Sequence, residues 1–90
     1  MANLGMNPDA VENVGHQLKN QASEINNIVS QLNNVVSSME ADWWGPDAQT
    51  FCNDWWPKHK QELTQAATNI DGLGQSALNN ASEQRQVSGH

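Results

Sequence analysis

The sequence predicts an all-α fold: an antiparallel two-helix hairpin that dimerises into a four-helix bundle. Three observations predict it. Apolar residues recur every seven positions in both halves of the chain. Proline and glycine mark the start, with Pro8, and the middle, with Gly45-Pro46, and leave the stretch between them almost untouched. Each apolar stripe is also broader than one facing helix can cover. With 90 residues the chain is one domain, residues 1–90.

Helix one is expected over about residues 8–41. Asn7 reads as its N-cap and Pro8 as its first helical residue. Val11, Leu18, Ile25, Leu32 and Met39 form one row at heptad spacing. Val14, Ile28 and Val35 form a second row, interrupted by Gln21, and Gly15, Ala22, Val29 and Val36 form a third. Almost everything else here is Asn, Gln, Ser, Glu or Lys, as an amphipathic helix requires. A tight turn follows at 42–46.

Helix two is expected over about residues 46–84. Gly45 then Pro46 opens it, and Asp47 in the first turn suits the positive end of the helix dipole. Trp56, Leu63, Ile70 and Ala77 repeat every seven, with His59, Ala66 and Leu73 beside them. Ala67, Gly74 and Ala81 broaden the stripe with side chains small enough for close helix approach. Pro57 lacks an amide N–H and crowds the preceding turn, so a kink is expected between Asn53 and Lys58. The tail, 85–90, is expected to fray.

A hairpin buries the facing part of each stripe and leaves apolar surface on one side. Pairing with a second hairpin covers it. The hairpin and dimer packing residues are therefore expected to be Val11, Leu18, Ile25, Leu32, Met39, Phe51, Trp55, Trp56, Leu63 and Ile70. Adjacent residues on a helix point about 100° apart, so of Trp55 and Trp56 one faces the core and the other its edge.

All four tryptophans fall between positions 43 and 56, at the tip. Trp43-Trp44-Gly45 has the form Trp-x-Gly, placed between two amphipathic helices. Gly45-Pro46-Asp47-Ala48, then Phe51 and Trp55, resembles the start of helix two in actinobacterial members of the W-x-G family. These are the early-secreted-antigen-like substrates of type VII secretion systems. Leu78-Asn79-Asn80-Ala81-Ser82-Glu83-Gln84 resembles their usual tail, so the resemblance covers essentially the whole chain. It implies a helical hairpin, a homodimer or heterodimer with a related hairpin, and engagement with the type VII machinery. It also implies export without a cleaved signal peptide, from the cytoplasm to the cell surface or medium. Trp43 and Gly45 are then export-recognition residues as well as hairpin-end packing residues. The family's second signal element is Tyr-x-x-x-Asp/Glu after helix two, usually read from the opposite chain. This sequence holds no tyrosine. Ala77 and Ala81 stand where that element is expected, and Asn79 with Glu83 keeps its spacing.

Composition narrows the function classes. Four Lys plus Arg against ten Asp plus Glu give a net charge of -6, which disfavours nucleic acid and anionic lipid. The polar load is largely uncharged, with 21 Asn and Gln, unlike a charged disordered tail. No run is long and apolar enough to span a membrane, and Met1 to Pro8 has neither the basic nor the apolar segment of a signal peptide. A single cysteine, Cys52, allows no internal disulfide and no thiolate metal site. His59 and Glu62 share a helix face but fall short of a three-ligand site. No nucleophile pairing, phosphate loop or convergent carboxylate pair is present, so the expectation is no enzyme, no cofactor and no metal. Two further readings stand beside secretion by protein-protein interaction. One is a non-secreted adaptor or export escort for a larger effector with a helical-hairpin N-terminal domain. The other is a membrane-active effector, which the acidic charge disfavours.

Overall fold

The computed structural model describes residues 6–88. Helix α1 spans Pro8–Asp42. A short helix α2, Pro46–Thr50, runs into a π-helical turn, Phe51–Trp55, and then into helix α3, Trp56–Ser88. Among the described residues there are no strands. The two arms lie side by side over almost their full length, in a rod of 67 × 16 × 15 Å.

The ends of α1 follow from local chemistry. Asn7 accepts hydrogen bonds from the amides of Asp9 (3.0 Å) and Ala10 (3.3 Å), which satisfies two of the helix's orphan donors. Pro8 takes the first helical position, where its missing N–H matters least. At the far end the Trp43 amide donates to the Met39 carbonyl at 2.9 Å, and Trp43 turns to an extended backbone. Gly45 has φ of 109°, a conformation side-chain-bearing residues rarely adopt, and its carbonyl accepts from the Gln49 amide at 3.1 Å to start the second arm.

Pro57 does not break the second arm. The widened turn lies just before it, two residues earlier than the expected kink begins, and here the Trp56 amide reaches back five residues to the Phe51 carbonyl. A turn with one extra residue relaxes the ordinary four-residue register that Pro57 would otherwise violate. At the other end, the tail expected to fray from 85 stays helical through Ser88. Arg85 explains part of this: its guanidinium donates to Asp9 and, at 2.9 Å, to Glu12, and so ties the end of α3 to the start of α1. Gly89 and His90 lie outside the described residues, as do residues 1–5, which begin the stretch read against a signal peptide.

The seam between the arms is built from the smallest residues. On α1 the buried row is Gly15, Ala22, Val29 and Val36. Opposite it lie Ala67, Gly74 and Ala81, with Ala48, Cys52 and Trp56 closing the tip end. Gly15 and Gly74 bring the two backbones together. A methyl placed on Gly74 would sit 2.8 Å from the Gly15 carbonyl oxygen, and one on Gly15 would sit 2.9 Å from that of Gly74. Small residues permit this approach, and neighbouring apolar chains pack around it.

The two long edges of the seam differ. One edge is polar and cross-linked: Arg85 to Asp9 and Glu12, Lys19 to Asp71 at 3.3 Å, and Asn33 to both Trp56 and Lys60. The other edge is apolar and open. It exposes Val14, Ile28, Leu32 and Val35 from α1, and Leu63 and Leu73 from α3. The heptad geometry produces this asymmetry. In α1 the Val11 and Val14 rows both lie to one side of the Gly15 row, and Glu12, Lys19 and Asn33 lie to the other.

Candidate functional site: the tip and the open apolar face

At the tip, four aromatic rings meet in series, the middle pair stacked and the outer pairs tilted by 52°. Trp43 lies 5.8 Å from Phe51, Phe51 stacks on Trp55 at 4.9 Å, and Trp55 meets His59 at 4.3 Å. Phe51, Trp55 and His59 are four apart, so they fall on one helix face, and the extended backbone at Trp43 folds its ring back onto them. Such ring pairs add about 0.5–1.5 kcal/mol beyond their area burial. Trp44 is 79% exposed. A shallow cleft of about 250 Å³ beneath the turn is lined by Glu40, Trp43, Trp44, Gly45, Ala48 and Cys52. Burial pushes the Cys52 thiol above its ordinary pKa, and the neighbouring Glu40 carboxylate, to which it hydrogen-bonds, adds to the rise. That is the opposite of what an activated nucleophile needs.

The aromatic line leads onto the open face. A groove of about 570 Å³ runs there between α1 and α3, lined by Leu32, Val35, Val36, Met39, Phe51, Trp55, Trp56, His59, Glu62 and Leu63. Of the expected packing residues, Trp56 is buried. Val11, Leu18, Ile25, Met39, Phe51 and Ile70 are half-buried along the flank of the seam. Leu32 (38%), Trp55 (49%) and Leu63 (38%) stand exposed on the open face. The row that seals the hairpin itself is the small-residue row. The larger residues form its shoulder and leave much of their area in solvent.

Trp56 is placed by a polar anchor. Its indole N–H donates to Asn33 Oδ1 at 3.1 Å, and the Lys60 ammonium donates to the same oxygen at 3.2 Å. Sequence periodicity does not identify Asn33, because its role depends on partners 23 and 27 positions away. His59 Nδ1 lies 2.9 Å from Glu62 Oε1. No group of three or more metal-ligating side chains gathers among the described residues. No described helix is long and apolar enough to cross a membrane.

The positions matching the family's second signal element differ in exposure. Ala81 is fully buried against α1, Ala77 is half-buried, and Asn79 and Glu83 are exposed. The Gln75 amide donates to Asn79 at 3.0 Å.

Trp43-Trp44-Gly45 thus forms the bend between two long amphipathic helices, with the glycine in the conformation only glycine adopts readily. Neither a curated protein nor a solved structure matches the chain. The family model WXG100, described as proteins of 100 residues with WXG, matches residues 3–87, nearly the whole sequence. The chain belongs to this W-x-G family of early-secreted-antigen-like type VII secretion substrates.

Proposed function

We propose that this protein is a small secreted, dimer-forming substrate or co-substrate of a type VII secretion system, acting by protein-protein interaction. It waits in the cytoplasm, pairs with a related helical hairpin and leaves without a cleaved signal peptide. The observation that carries this reading is the open apolar face beside the W-x-G turn: one edge of the hairpin is tied by polar bonds, and the other presents Ile28, Leu32, Val35, Leu63 and Leu73. Contiguous apolar surface on so thin a rod marks a partner site. A face of this kind binds another surface and offers no enclosed pocket for chemistry.

One observation favours the heterodimeric form. Ala81, where the acidic residue of the second signal element is expected, is spent on the seam and has no exposed surface. A partner then supplies that element, and this chain supplies Trp43 and Gly45. The same pairing underlies the second reading, an escort that lends its turn to a larger effector. The test is expression in a type VII-competent host from which tyrosine-bearing relatives are deleted. Loss from the culture filtrate, restored by one relative, supports co-export. Efficient export without them moves the signal onto this chain, with Asn79 and Glu83 as its exposed candidates.

A further inference from the structure

The rims of the open face indicate what kind of surface covers it. On α1 the row just beyond Val14, Ile28 and Val35 contains Gln17, Glu24 and Gln31, all exposed. On α3 the row just beyond Leu73 contains Glu62, Asn69 and Glu83, also exposed. The rims therefore carry three carboxylates, Glu24, Glu62 and Glu83, and neither row holds a Lys or Arg. Glu62 lines the groove itself. Three of the four basic residues sit on the opposite edge: Lys19 holds Asp71, Lys60 holds Asn33, and Arg85 holds Asp9 and Glu12. The fourth, Lys58, lies one row behind the α3 rim.

Rim positions flanking an apolar helix interface select partners through their charges. If two copies of this chain met face to face, three glutamates on each set of rims would meet three more, with one lysine per copy, Lys58, set a row back to offset them. Lys58, beside Glu62 and Asn69, is the one basic side chain of a second copy near the rims, and it leaves each copy's rims net acidic. We infer that the open face takes a helical hairpin whose own rims are basic, in preference to a second copy. This rests on the proposed reading of the face as an interface and specifies the chemistry of its occupant.

The test uses the chain against a charge-reversed copy of itself, Glu24→Lys/Glu62→Lys/Glu83→Lys, which keeps the apolar face and changes only the rims. Both are checked for helix content by circular dichroism and mixed at pH 8 and low salt. Sedimentation then measures each association. The mixed dimer should form about tenfold more tightly than the dimer of the unmodified chain, as several rim pairs change sign together. The difference should shrink at high salt, which screens exposed charges. The variant Glu24→Gln/Glu62→Gln/Glu83→Gln should self-associate more tightly than the unmodified chain, and it decides the matter if the reversed chain does not fold. Equal affinity of the mixed and unmodified dimers, or no gain from the glutamine variant, overturns the rim inference while leaving the face an interface. No association in any combination, with the chains helical, overturns both.

Discussion

Gly74→Ala tests the seam most sharply because two effects oppose each other there. In an exposed helix interior, Gly to Ala stabilises by about 1 kcal/mol, since alanine loses less backbone freedom on folding. At position 74 the added methyl meets the Gly15 carbonyl oxygen at 2.8 Å, Lys19 Cγ at 3.1 Å and Leu18 Cβ at 3.2 Å. The side chains can rotate away, but a backbone carbonyl moves only if the helix moves. Prising packed elements apart costs about 1–3 kcal/mol and occasionally more, so the net change is a loss of up to about 2 kcal/mol. Gly72 provides the control on the same helix, since an added methyl there meets nothing within 4 Å. Gly72→Ala should therefore gain about 1 kcal/mol. Urea titrations followed at 222 nm, at one fixed protein concentration because association raises apparent stability, should place the two variants on opposite sides of the parent. If Gly74→Ala stabilises as much as Gly72→Ala, the two backbones do not meet where this account puts them.

Other consequences can be checked together. Asn33→Ala strips the acceptor shared by Trp56 and Lys60 and should cost about 1–3 kcal/mol; Asn34→Ala, on exposed surface, should stay within about 0.5 kcal/mol by the same titration. Leu32→Ala should cost about 2–5 kcal/mol once a partner buries it, and Gln31→Ala well under about 1 kcal/mol, so equal effects in the complex would misplace the apolar face. The Arg85 hydrogen bond, and then its charge, holds the Glu12 carboxyl below its ordinary pKa of 4.5. A lowered folded pKa stabilises above the ordinary value and is lost as pH falls through the folded one. The stability difference between the parent and Arg85→Gln should accordingly be full near neutrality and fade in acid below that ordinary value. Cys52, buried and with its thiol pKa raised, should react with a maleimide at pH 7.5 about tenfold or more slowly in the folded chain than in urea.

Much of this architecture was legible from local signals. Asn7-Pro8 and Gly45-Pro46 state where helices begin, because a side-chain cap, a missing N–H and a positive φ are properties of single residues. The heptad rows show that each helix has an apolar side. They do not show which row sits at the centre, because three adjacent rows on α1 are all apolar. Closest approach decides it: Gly15 and Gly74 let backbones touch, so the small row takes the seam and the bulky Leu18 and Ile25 row becomes its shoulder. Polar links such as Arg85 to Asp9 join residues 76 positions apart, and only the register of the two arms brings them together. Pro57 announces a disturbance, yet its relief as a π turn at Phe51–Trp55 depends on which carbonyl the next amide can reach. At the candidate site, the W-x-G turn was plain, whereas the separation into one polar edge and one open edge required both helices in place.

The most direct measurement is sedimentation of the chain and of Ile28→Asp/Leu73→Asp across a concentration series, each alone and mixed with the charge-reversed chain. Ile28 and Leu73 are 52% and 60% exposed on the open face, so the hairpin itself should tolerate both changes and keep its helix content. The account predicts that the parent associates at high micromolar concentration and more tightly in the mixture, and that the double variant remains monomeric in both. A parent that stays a well-folded monomer in every mixture, or a double variant that associates like the parent, would contradict the claim that this face is where the protein binds.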